Sequence, residues 1–446
     1  MNEFEKEKKY GSDKIALLGF FVLAVLTAYI ITALKSAVTL TDPIELGYTG
    51  LSVSMPNGNG WKSEQQWNYE QNTFVLRSFF ALSSTRLDGE AKCRYLLAAE
   101  NTSADSKLQQ KAYDLGGNIE ETGQSLTDQL AIDWVHIKKQ PDQFDTFFGT
   151  TLLPNNRRLN IEVRLTGETE LAEETFKLLA ENIKFQDNQF LNAGSQIIRE
   201  IKDSGISSFL PDQSRRDFFV IKDAKNRPVG FTTDVLINSP PDEPLNIQAA
   251  GFLYTRGRYP EEQASFFQCS NKLDEFSCKR QSTKSGSEIT MNKTGTMTVK
   301  TSGRYPKEMN YQPGASAIPD VFLEFVLSRF IDSYHEKIIV DIIKDDGKIN
   351  PALLSRIEEK NDNAYALKLD FIGGQNFSEL IYLDNQKKIL KRLLNIQTSS
   401  GKTTEPLSRS IIFTFERSTA ENLLKQFPER ANYISQKNKM LDPNNF

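Results

Sequence analysis

The chain is poor in the residues that most often carry chemistry. Its 446 residues include three cysteines and two histidines. A zinc site with four cysteine ligands is therefore excluded within one chain, and a mixed site would need distant segments to converge. There is no basic excess, since 54 Lys and Arg stand against 58 Asp and Glu. The positive field that nucleic-acid binders carry is missing. Neither G-x-S-x-G nor H-E-x-x-H occurs. Ser400-Gly401-Lys402-Thr403 imitates the end of a phosphate-binding loop, but Ile396 stands where the leading glycine is required. Asp345-Asp346-Gly347 imitates a calcium loop whose first ligand position is filled by Ile342. His136 and His335 have no sequence neighbour that could serve as nucleophile or metal ligand. These absences lead to the expectation that the chain is not an enzyme, binds no metal or cofactor, and takes no nucleic acid.

What is present begins with an uncharged run at Ile15–Leu34, IALLGFFVLAVLTAYIITAL. As a helix it would cover about 30 Å, the hydrocarbon thickness of a bilayer. Lys6, Lys8, Lys9 and Lys14 precede it, and Lys35 alone follows closely. The positive-inside rule then places the tail in the cytoplasm. The expectation is a single-pass, signal-anchored protein of the plasma (inner) membrane, with its bulk in the periplasm or outside the cell. Its expected partners are the membrane itself and either envelope proteins or an apolar ligand.

The remainder divides by pattern. Leu51–Met55 alternates, Pro56-Asn57-Gly58-Asn59-Gly60 breaks it, and Trp61 and Trp67 follow. A helix is expected from Ser103 to Leu115, stopped by Gly116-Gly117. A second is expected over Glu170–Lys184, where Ala172, Phe176, Leu179, Ala180 and Ile183 form one stripe. This order resembles the PsbP-like (Mog1-type) α/β/α sandwich, in which an opening strand like Gly50–Pro56 is followed by a Trp and the domain closes on a helix. Residues 188–216 read as a connector with one short helix near Ser195–Asp203. Many short strands follow, with one strongly apolar helix at Pro319–Tyr334. Glu379-Leu380-Ile381-Tyr382-Leu383-Asp384 and then Leu390-Lys391-Arg392 resemble the strand–Asp–turn–strand passage of LolA-like lipoprotein-carrier domains. That resemblance implies a half-barrel with a pocket for an acyl chain or another apolar ligand.

The expected fold class is thus α+β: one transmembrane helix, an α/β/α sandwich domain, and an antiparallel half-barrel-like β domain with a buried helix. The expected segments are a tail at 1–14, an anchor at 15–34, domains at 45–187 and 217–428 around the connector, and a polar tail at 429–446. The expected function is a membrane-anchored extracytoplasmic binding or assembly protein. The alternative is a carrier of lipid or lipoprotein acyl chains, and a hydrolase with a scattered site stands third.

Two local patterns name residues. Gly257-Arg258-Tyr259-Pro260 recurs as Gly303-Arg304-Tyr305-Pro306. They are either two similar strand exits or a pair of clamps in which Arg258, Tyr259, Arg304 and Tyr305 hold an anionic group. Cys269 and Cys278 flank a polar turn of hairpin length. Directly opposed on an antiparallel pair, they would fall within disulfide range. A bridge between them is expected, with Cys93 left as a free thiol.

Overall fold

The protein is described by a computed structural model covering residues 16–27, 38–58, 60–81, 88–99, 102–127, 129–138, 144–210, 214–239, 242–256, 260–283, 285–302, 306–357, 365–372, 377–396 and 411–435. Strands make up 51% of it and helices 24%. The principal helices run over residues 16–27 (α1), Ala104–Leu115 (α2), Thr169–Glu181 (α3), Gln189–Ser204 (α4) and Leu323–Asp332 (α5).

Two expectations are corrected here. The α+β class gives way to a mostly β architecture, because polar segments without apolar alternation also form strands. Asn118–Leu126 is one, an exposed edge strand, and Lys307–Tyr311 is another. The transmembrane helix at Ile15–Leu34 is corrected as well. Among the described residues no helix is long and apolar enough to cross a membrane. The single-pass anchor, the inner-membrane placement and the integral-membrane partner fall with it.

The first large sheet has eight antiparallel strands between Trp61 and Thr166. Adjacent side chains on its strands point to opposite faces, and each face has its own helix. Val135, Ile137 and Phe148 pack under Leu108 and Ala112 of α2. Trp134 and Phe147 meet Phe176 of α3 on the opposite face, with ring centroids 5.9 Å from Phe176 in both cases. The stripe Ala172, Phe176, Leu179, Ala180 and Ile183 is buried throughout. Helix α2 starts where the Ser103 hydroxyl accepts from Ser106 N and stops at Gly116, whose φ is 60°. Each face thus carries one helix packed on buried side chains.

The second sheet has fifteen strands and is built from two meanders. One runs from Ser214–Asp223 to Lys307–Tyr311, the other from Ala317–Pro319 to Ile411–Arg417, and the first strand of one pairs with the last of the other. Within the second meander α5 makes the crossover between the parallel strands Ala317–Pro319 and Lys337–Ile343. A sheet of this length curls. Its far wings come together: the Ser287 hydroxyl donates to Asp345 O at 2.8 Å, and Arg280 reaches the Asp345 carboxylate at 3.4 Å. The convex side is closed by Leu423, Phe427 and Ile434 on Val220, Phe231 and Phe252. On the concave side lie α5 and the residues packed around it.

The two sheets share one hydrophobic core, which runs from Leu46 through Phe176 and Phe330 to Ile389. Helix α4, longer than the short helix expected there, lies directly on strand Lys337–Ile343. At Gly194 an added Cβ would stand 1.8 Å from Ile339 O, so only glycine permits this approach. Across the same junction Arg157 makes two 2.8 Å hydrogen bonds to Asp341, donates to the Tyr95 hydroxyl at 2.8 Å, and is itself buried. Ser316 donates to Asp341 at 2.7 Å. Burial opposes the charge on Arg157, but the Asp341 carboxylate and the Tyr95 hydroxyl outweigh it and raise its pKa.

Candidate functional site

The concave face of the curled sheet is not completely filled by α5. A cavity of about 510 Å³ remains above Leu323, within the 300–1,000 Å³ range of small-molecule sites. Its walls follow from strand alternation. On Ser214–Asp223 the inward positions are Arg215, Asp217, Phe219 and Ile221, whereas Val220 faces the convex core. Ala249, Gly251 and Leu253 line it from the strand Ile247–Thr255, Ser265 and Phe267 from Glu261–Cys269, and Phe413 and Phe415 from Ile411–Arg417. The wall is largely apolar and aromatic, with charged residues set among the phenylalanines and leucines. A second depression, of about 710 Å³, lies between residues 45–52, 126–129 and 181–188, and polar and apolar groups line it about equally.

The charges at the cavity pair in a definite order. Arg215 bonds Glu324 and Asp217, both at 2.7 Å, and Arg417 meets Asp217 at 2.9 Å. Lys344 bonds Asp320 at 2.8 Å, and Arg392 bonds Glu379 at 2.6 Å while standing over the Phe415 ring. Asp345 is reached by Arg280 and by the Gln263 amide. Asp234 is different. It faces Asp217 directly across the strand pair, and among the described residues it has no hydrogen-bond or ion-pair partner. Its side chain opens onto the cavity, so water reaches it. The surrounding wall, with Asp217 and Asp320, nevertheless pushes its carboxyl up to about 7. Burial likewise lifts Asp345 to about 6, with Asp346 adding to the effect. Asp320 goes the other way: Lys344 and Arg392 overcome its burial and hold it below the usual range.

Of the candidate site residues singled out from sequence, Cys278 alone among the described ones borders the cavity. Arg258, Tyr259, Arg304 and Tyr305 fall outside the described residues. The pairing of Cys269 and Cys278 is corrected. Cys269 stands opposite Phe276 and Cys278 opposite Phe267, and all three cysteines are buried free thiols. The turn sets this register: Ser270 N donates to Glu275 O at 3.0 Å and Leu273 N to Ser270 O at 3.1 Å. The two thiols are therefore diagonal neighbours, where side chains stand about 7–8 Å apart. His136 is held in the first sheet, its ring stacked on Phe147 at 4.4 Å and its Nε2 3.4 Å from Asp145. His335 follows α5 beside the Tyr334 ring. Neither histidine lines the cavity. No group of His, Cys, Asp and Glu able to hold a metal ion occurs among the described residues.

Sequence reasoning missed Asp234. The residue reads as one polar position in the alternating run Phe231-Thr232-Thr233-Asp234-Val235. Its environment depends on which residue the register sets opposite it, and no local pattern encodes that. Compared with protein-family models and with curated proteins, the chain matches none.

Proposed function

We propose that the protein is a non-catalytic binding protein that holds a small amphiphilic molecule in the cavity of its curled sheet. The observation that carries this reading is the cavity itself: an apolar, aromatic wall inside a β scaffold, with a few convergent polar groups. The resemblance of residues 379–392 to LolA-like carriers points the same way, toward a ligand with an acyl chain or a comparable apolar body. The test is displacement of a fluorescent apolar probe by dodecanol. Ser265, half-buried on the cavity wall, is replaced by Trp to fill the space. Binding by the natural chain, and its loss by about tenfold or more in Ser265→Trp at an unchanged melting temperature, is expected. Equal binding by both proteins would place the site elsewhere.

The raised carboxyl of Asp234 supports a second reading, a general base acting on a bound molecule. No hydroxyl, thiol or amine among the described residues stands within hydrogen-bond reach of it, so such a base would have to act through water. Mass spectrometry of the ligand after prolonged incubation separates the two: recovery intact fits binding, and a hydrolysed product fits catalysis.

A further inference from the structure

The charge arrangement around the cavity specifies what the ligand carries. Five carboxylates and three basic side chains line it, Asp217, Asp234, Asp320, Glu324 and Asp345 against Arg215, Lys344 and Arg392, and Arg417 and Arg280 reach Asp217 and Asp345 from beside the cavity. All three basic groups are already committed, to Asp217 and Glu324, to Asp320, and to Glu379. An anionic ligand would have to break one of these pairs to be neutralised. The carboxylates are not all satisfied. Asp234 has no hydrogen-bond or ion-pair partner among the described residues and feels Arg392 and Arg215 only at longer range, and Asp320 Oδ1 is buried without a hydrogen-bond donor. Asp234 is also set directly against Asp217, whose own charge is met by Arg215 and Arg417, so Asp234 is the carboxylate of that pair without a close cation. Aromatic rings of Phe219, Phe413 and Phe415 border the same space and offer an apolar chain a wall, with Arg417 and Arg392 already over the first and third.

From this geometry, and resting on the binding reading above, we infer that the cavity selects a cationic amphiphile, an apolar chain bearing an amine, whose ammonium group pairs with Asp234. The amine completes the open position at Asp234, and the chain lies along the phenylalanines. Gly251 leaves the carboxylate accessible: a Cβ there would stand 3.2 Å from Asp234 Oδ1.

The test uses three probes of equal chain length, dodecylamine, dodecanol and dodecanoate, titrated calorimetrically below their aggregation limits. At about pH 8, dodecylamine is ammonium and dodecanoate is anionic. Dodecylamine is expected to bind at least about tenfold tighter than either of the others, the advantage of one charge-assisted contact. Asp234→Asn should bring the amine to the affinity of the alcohol without weakening the alcohol, and Asp234→Glu should keep the preference. If the alcohol or the carboxylate binds as tightly as the amine, or if Asp234→Asn leaves the preference intact, the inference is overturned while the binding reading stands. If none of the three binds, the binding reading itself falls and takes the inference with it. Melting curves establish that both variants are folded; loss of folding in Asp234→Asn would contradict the account, which assigns that carboxylate no structural bond.

Discussion

The two large sheets solve the same problem in opposite ways. The eight-stranded sheet covers each of its faces with a helix, and Trp134, Phe147 and Phe176 fill the space between sheet and α3. The fifteen-stranded sheet curls over α5 and leaves a volume that α5 does not occupy. In the first, ionisable groups sit at the margins or pair, as Glu162 does with Lys111. In the second, several ion pairs line the cavity beside one carboxylate, Asp234, that has no hydrogen-bond or ion-pair partner among the described residues. A filled interior gives a scaffold, whereas an incompletely filled one with unsatisfied polarity gives a site. The comparison teaches that the first sheet's contribution is to hold the second, through α4 and the Arg157–Asp341 pair.

The sharpest way to break this contrast is at the junction. Asp341→Ala leaves the buried Arg157 guanidinium without its carboxylate, and removal of one member of a buried pair costs about 3–5 kcal/mol. Urea unfolding should show that loss as a single transition. The double variant Arg157→Met with Asp341→Leu should recover most of it, because the paired desolvation is removed as well. Separate transitions for the two sheets in the natural protein would show that the junction does not couple them.

Next in size is a matched pair of truncations. Leu179 is buried on α3 under the first sheet, and Leu179→Ala should destabilise by about 2–4 kcal/mol. Leu253 is half-buried on the cavity wall. Leu253→Ala should cost less than about 1 kcal/mol, because part of that side chain is never removed from water. Equal costs would mean that the cavity is packed in solution.

A smaller effect comes from pH. The Asp234 carboxyl is raised from 3.8 to about 7 in the folded protein, first by the surrounding wall and then by Asp217 and Asp320. Between those values the folded state binds more protons than the unfolded chain, so stability falls as pH rises through that window. Asp234→Asn should flatten this part of the profile and stabilise the protein above pH 7 by a few tenths of a kcal/mol. The cavity's openness to water keeps the figure small. No structural disulfide is present, so reductant should change neither sheet's melting. Thiol alkylation without denaturant should leave Cys93, Cys269 and Cys278 unmodified, because burial raises all three thiols.

Legibility from sequence follows the same division. The stripe on α3, the Ser103 and Gly116 ends of α2 and the apolar character of α5 are local patterns, and each was readable. The polar edge strand Asn118–Leu126 was not, because an exposed edge needs no buried face. Helix α4 was underestimated although Leu191, Ile197, Ile198 and Ile201 form its buried face; the polar residues between them gave the segment the look of a linker. Asp234 and the cysteines share one cause. Which residue faces which is set by register, and register is fixed by turns such as Ser270–Glu275 and not by the composition of the strands.

Hydrogen exchange measured by mass spectrometry, with and without dodecylamine, tests the central claim most directly. The account predicts slowed exchange in the strands Ser214–Asp223, Ile247–Thr255, Glu261–Cys269 and Ile411–Arg417, and none in Phe144–Leu153 or Arg157–Thr166 of the first sheet. Protection that appears in the first sheet, or in neither, would contradict it.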